Sequence, residues 1–207
     1  MSRTTHRALR LALASLLLVA LLAQLAIGMS RSSLTVANFF SFFTVLSNVS
    51  AVVLLILLAA RPGRDASPTF AVFRGAVTVY MSVTALVYVI LLAPIAAEVG
   101  VAEPWIDWSI HVIGPVAIAI DWILAPPPTE LPLGSLWVWL VFPAAYLAYS
   151  VVRGVVADWY PYPFLDPAEG GYPAVAIWSA VVLVVIFGFG TAYYWWSSRR
   201  GAAVVTK

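Results

Sequence analysis

The chain has 207 residues, of which 63% are hydrophobic and 10% charged, with a formal net charge of +2 and a mean hydropathy of +0.97. A soluble domain carries about a quarter charged residues, so this balance excludes an ordinary water-soluble fold. With no cysteine and only two histidines, disulfides, iron–sulfur ligation, thiolate zinc sites and a cysteine nucleophile are excluded, and little is left for a catalytic metal.

Runs without charge or histidine cover 11–30, 32–60, 75–97, 131–152 and 171–198, and a helix needs about 20 apolar residues to cross a bilayer core. With one more polar segment they predict six transmembrane helices in a single all-α domain over 1–207, at about 9–28, 37–60, 71–93, 105–124, 134–152 and 173–196. The first follows Arg3, Arg7 and Arg10 as an export signal would. Its end, Ala26-Ile-Gly-Met-Ser30, lacks a small-x-small cleavage site, so it reads as a retained span.

The second span carries Ser41, Thr44, Ser47 and Asn48, whose spacing predicts one polar stripe along a continuous helix. Such a stripe serves either as glue between helices or as a site. Thr44 stands roughly 9 Å below the outer end of its span, at 1.5 Å per residue. The third span takes in Arg74 about one turn from its inner end. The fourth is the weak one by hydropathy, because Asp107, His111 and Asp121 fall in it. Each ionisable group at membrane depth is a functional candidate by default.

His111 lies at the same depth as Thr44, and Asp107, four residues earlier, shares its helix face. Pro115 has no N–H to offer the carbonyl of residue 111, so the helix is expected to bend or open there. His111 is either a hydrogen-bonded histidine between helices or a base beside a hydroxyl. A threonine hydroxyl needs such a base to become nucleophilic, and Asp107 would complete a hydroxyl–imidazole–carboxylate relay. Arg74 and Asp121 match in depth near the inner face and are read as a structural ion pair, a proton or substrate relay being the competing use.

In the fifth span Pro143 leaves the carbonyl of Trp139 unpaired, and Tyr146, Tyr149 and Ser150 beyond it offer hydroxyls to the interior. The connection 153–172 holds Asp158-Trp-Tyr160-Pro-Tyr162-Pro-Phe164-Leu-Asp166. Its prolines fix an extended path, and the segment is expected to fold back over the outer mouth of the bundle, an interfacial aromatic belt being the alternative reading. Orientation follows from the basic residues. Arg3, Arg7, Arg10, Arg61, Arg64, Arg199, Arg200 and Lys207 fall on one side of six spans, Arg31 and Arg153 on the other. The positive-inside rule puts both termini in the cytoplasm.

Three islands carry a family likeness: Phe-Phe-Thr44-Val-Leu-Ser-Asn48, His111 followed by Gly114-Pro115, and Tyr160-Pro-Tyr162-Pro-Phe164-Leu-Asp166. In this order among six spans they resemble the androgen-induced integral membrane protein family, which includes the androgen-dependent regulator of tissue factor pathway inhibitor and bacterial relatives. The Ser47-Asn48 and Tyr-Pro-Tyr-Pro forms, the missing cysteine and the preference for Arg over Lys fit a bacterial member in the cell membrane.

The resemblance implies a multi-pass threonine hydrolase of fatty acid esters of hydroxy fatty acids or related long-chain esters, with Thr44 as nucleophile and His111 as base. It implies no metal or organic cofactor. Asp107 is not part of that motif and enters as our own orienting residue, with Ser41 and Asn48 as candidate donors to the oxyanion. The expected partners are membrane lipids and a lipid ester, and no nucleic acid. The alternative is a non-catalytic bundle or small transporter for a lipidic or small organic ligand. A hydrolase requires Thr44 and His111 within reach of each other beside a cavity open to lipid.

Overall fold

The structure, a computed structural model, describes residues 2–31, 34–61, 63–95 and 103–205. Among these residues all regular structure is helical: α1 (Arg3–Ser30), α2 (Val36–Phe39), α3 (Phe43–Ala60), α4 (Pro68–Leu92), α5 (Pro104–Leu124), α6 (Ser135–Ala157) and α7 (Gly171–Val205). All but α2 are long and apolar enough to cross a membrane, which makes the chain a six-span, all-α multi-pass membrane protein. An even number of crossings returns the chain to the face from which it started.

Local chemistry explains the ends. Ser2 accepts from the Thr5 N–H (3.1 Å) and Thr35 from the Asn38 N–H (3.1 Å), each a side-chain N-cap. Pro68 and Pro104 open their helices at the position where a missing N–H costs nothing. Asp158, at φ +49°, stops α6, and Gly170 and Gly171, both with positive φ, turn the chain into α7. The fifth span therefore runs past Arg153, five residues further than its apolar run predicts, and the connection before α7 is shorter than expected.

The second span differs most from expectation. It is two helices, not one: the chain leaves helical geometry over 40–42 and restarts at Phe43. Ser41 lies in that break, with its hydroxyl on the Ala37 carbonyl (2.7 Å) and the Tyr149 hydroxyl (2.7 Å). It is therefore not on one stripe with Thr44, Ser47 and Asn48, and Thr44 lies in the first turn of α3.

Helix α4 is the hub. It packs against α3, α5, α6 and α7 and is buried on nearly every side between Ala71 and Thr84, as expected of a helix that is apolar all round. Helix α1 lies along α3 and touches α5. Gly75 allows a close approach between helices, since a Cβ there would run into the ring of Trp139. Trp139 is fixed by its indole N–H on the Val72 carbonyl (2.8 Å). Its own carbonyl, deprived of a partner by Pro143, accepts from the Tyr80 hydroxyl (3.1 Å). A helix break is thus repaired by a side chain of the hub, which avoids the cost of an unpaired carbonyl away from water. The outward faces of α6 and α7, including Trp137, Val141, Val152, Ile177 and Val184, are exposed and apolar, the composition a lipid-facing surface needs.

Candidate functional site

The break before α3 makes the first part of the site. Phe42 caps the helix without a side-chain hydrogen bond, so the first N–H groups need partners from elsewhere. Two tyrosine hydroxyls supply them. The Phe43 N–H donates to Tyr146 of α6 (3.2 Å) and the Thr44 N–H to Tyr162 (3.2 Å). Tyr146 passes its own proton to the Ser41 carbonyl (2.8 Å). Tyr162 also lies 3.3 Å from the Thr44 Oγ1, and burial pushes its phenol above the usual range, so it remains a neutral donor. Thr44 thus sits at the positive end of a helix, buried, with its hydroxyl on a tyrosine.

Tyr162 arrives on the aromatic connection, which does turn inward. Its ring stacks on Phe164 (5.2 Å between centroids) and meets Phe42 edge-on, while Leu165 is buried beside it. The Tyr160 ring lies on Gly154, where a Cβ would collide with it. Asp166 caps the short turn 167–169 by accepting from the Ala168 N–H (2.9 Å). At the same end Arg153 donates to Asn38 Oδ1 (2.6 Å) and lies 4.6 Å from the centroid of Trp159. Arg31 pairs with Glu103 (2.9 Å). Arg31 and Arg153, the two basic residues at this end of the bundle, are both anchored.

The second part is built on α5. Residues 109–113 form a π turn, closed by the Gly114 N–H on the Ser109 carbonyl, immediately before Pro115. The opening expected at Pro115 therefore takes the form of a widened turn with His111 at its centre. His111 Nδ1 is 2.8 Å from Asp107 Oδ1 and 3.2 Å from the Asp107 carbonyl. The carbonyl has hydrogen-bond geometry, whereas Oδ1 is otherwise buried without a donor and faces the ring nitrogen as a charge. Two oxygens at Nδ1 assign the proton of the neutral ring to that nitrogen and the lone pair to Nε2. Among the described residues Nε2 has no hydrogen-bond partner.

Tyr88 completes this group and is absent from the sequence reading. Its hydroxyl donates to Asp107 Oδ2, and its ring stacks on the imidazole at 4.2 Å and 9°. It opens a second π turn, 88–92, which is closed by the Ala93 N–H on the Tyr88 carbonyl and followed by Pro94. The proline is the legible signal: Tyr88 stands six residues before Pro94 as Ser109 stands six before Pro115. π turns recur at functional sites, and here two of them face each other through a stacked ring pair.

Asn48 ties the two parts together. Its side-chain amide, buried, donates to the Thr44 carbonyl (2.9 Å) and to the Ile110 carbonyl (3.0 Å). Both amide hydrogens are thereby used, and Ser41 is committed within the break, so neither is free to donate to an oxyanion. In this arrangement Asn48 joins two helices and Ser41 holds the break together. Thr44 and His111 are brought into neighbouring turns but share no hydrogen bond. Thr44 lines a cavity of about 70 Å³ between α3, α4, α6, α7 and the aromatic connection, and His111 is not on its wall.

At the other end of α5, Arg74 and Asp121 pair at 3.0 Å, Arg74 being 1% exposed. Arg74 also donates to the carbonyls of Asp121 (3.2 Å) and Ala125 (2.6 Å), at the negative end of the helix. The sequence reading misses the third member. Arg10, counted there with the inner tail, reaches the same carboxylate through Nε and a terminal nitrogen, each at 3.1 Å. The helical spacing of Arg7 and Arg10, running into the apolar residues of α1, is the signal that places Arg10 on a helix. The cluster holds two guanidinium groups on one carboxylate. No group of acidic, histidine or cysteine side chains suited to a metal occurs among the described residues.

No family model, curated protein or solved structure matches the chain.

Proposed function

We propose that this protein is an intramembrane hydrolase of long-chain lipid esters, with Thr44 as nucleophile and His111 as general base and then general acid. The observation that carries this reading is the Asp107–His111 arrangement: the carboxylate and carbonyl at Nδ1 leave Nε2 as the basic nitrogen, on a helix whose Ile110 carbonyl Asn48 joins to the backbone of Thr44. The three sequence islands that resemble the androgen-induced integral membrane protein family support the same assignment.

In the reaction, Thr44 Oγ1 leaves Tyr162, passes its proton to Nε2 and bonds to the ester carbonyl carbon. The developing oxyanion lies in the cavity whose wall includes the N-terminal end of α3, and the dipole of that helix favours negative charge there. The alcohol departs with the proton from Nε2. A water, deprotonated by the same nitrogen, then releases the acid and restores Thr44. Asp107 and Tyr88 position the imidazole. Apo geometry at such sites is often looser than that of the substrate complex, which accords with a threonine resting on Tyr162.

The test is hydrolysis of branched and simple long-chain esters by purified protein in nanodiscs, alongside labelling by a hydroxyl-directed fluorophosphonate. Thr44→Ala should abolish both, and Thr44→Ser should keep part of each. Full labelling of the Thr44→Ala protein would exclude Thr44 as the nucleophile.

The orientation belongs to the same proposal: both termini face the cytoplasm of a cell whose membrane supplies the substrate. The eight-to-two distribution of basic residues over the two faces supports it. A reporter fused at residue 128 should register inside and one at residue 165 outside; the reverse result would invert the bundle.

A further inference from the structure

Two hydroxyls of the cavity beside Thr44 have no role in the scheme above. Thr84 of α4 and Ser179 of α7 line it, are 5% and 9% exposed, and have no hydrogen-bond partner. Ser47 and Ser150 are also buried without a partner, but neither lines this cavity. Ser50, Thr78, Ser82, Ser109, Thr191 and Ser198 all donate to the carbonyl four residues earlier, the ordinary fate of a hydroxyl in a helix. A buried hydroxyl without a partner loses its hydration and gains nothing in return. Thr84 and Ser179 come from helices packed against each other and stand on the wall of one apolar space.

We infer that Thr84 and Ser179 bind the carbonyl oxygen of an uncharged long-chain acyl ester, and so select the substrate. The inference rests on the ester-hydrolase reading for its reaction but not for its binding site. Hydroxyl donors suit a neutral carbonyl acceptor. A carboxylate or ammonium group would be buried uncompensated, because no charged side chain among the described residues lines this cavity.

Size sets the rest. A cavity that admits benzene measures about 150 Å³, so 70 Å³ accommodates the carbonyl and a few adjoining carbons only. A second space of about 210 Å³ adjoins it across Leu92 and Phe164, residues common to both walls, and among the described residues Asp166 is its only charged lining residue. A chain that spans both spaces separates Leu92 from Phe164. Its outer end meets a carboxylate, so a substrate whose far end is itself anionic is disfavoured.

Binding can be measured without turnover. The probe is a long-chain ketone, which keeps the carbonyl of an ester and is not hydrolysed, compared with the alkane of equal length. The parent protein in detergent should bind the ketone about tenfold more tightly than the alkane, the effect of one or two hydrogen bonds. Thr84→Val and Ser179→Ala should each remove most of that preference, leave alkane binding unchanged, and melt no lower than the parent, because each deletes an unpartnered polar atom. A ketone bound no better than the alkane, or a preference that survives in the double variant, would overturn the inference. Failure of hydrolysis with the ketone preference intact would overturn the Thr44 mechanism and leave this site standing.

Discussion

Replacing His111 with Ala should reduce ester turnover by about 10²–10⁴-fold, the range supplied by a positioned general base, with little change in KM. Two neighbouring substitutions should grade this loss. Asp107→Asn keeps the shape of the side chain but removes the charge facing Nδ1 at 2.8 Å and offers an amide that can favour the wrong tautomer. Its kcat should fall by less than that of His111→Ala and by more than that of Tyr88→Phe. The latter retains the ring stack at 4.2 Å and loses only the hydroxyl on Asp107. Because all three act on the base and not on the acyl chain, kcat should move and KM should not. A wild-type kcat in Asp107→Asn would show that the carboxylate does not orient the ring.

The inner cluster should give the largest stability effect. Asp121→Leu leaves the guanidinium groups of Arg10 and Arg74 together without their carboxylate, Arg74 being almost fully buried. Breaking a buried pair costs about 3–5 kcal/mol, and the partial exposure of Asp121 and Arg10, near 15%, places the expected loss at the lower end. Arg10→Leu should cost much less, because Arg74 continues to hold Asp121 and the two carbonyls near the end of α5. Arg74→Met combined with Asp121→Leu should recover much of the single-variant loss. Thermal unfolding in detergent measures the order. An Arg10→Leu protein as unstable as Asp121→Leu would show that the outer arginine, not the buried one, carries the cluster.

What could be read from the chain follows the strength of the underlying forces. Six spans were legible because a bilayer demands about 20 apolar residues at a time, and that demand overrides local propensity. The Asp107–His111 contact was legible because four residues of helix fix it. The Arg74–Asp121 pair was legible because two charges at one depth need each other. The break at 40–42 was not: Phe40-Ser41-Phe42 contains neither glycine nor proline, and the helix stops there with its next N–H groups taken by tyrosines more than 100 residues away. Thr84 and Ser179 were hidden for the opposite reason. In sequence they resemble any helical hydroxyl, and only the lack of a partner combined with a place on the cavity wall distinguishes them.

The π turn in α5 also has an evolutionary side. Each residue of an α-helix advances about 100° around the axis, so a turn holding one residue more than usual resets the angular position of everything beyond it. That residue separates the angular settings of the two ends of α5: one aims Asp107 at Tyr88, the other aims Asp121 at Arg10 and Arg74. Deleting any one residue within 109–113 would let the helix close to regular pitch and swing one end through roughly a quarter turn relative to the other. Either the imidazole cluster or the arginine cluster would then face lipid. Relatives of this chain should therefore conserve the length between Asp107 and Asp121 more strictly than the side chains that fill it.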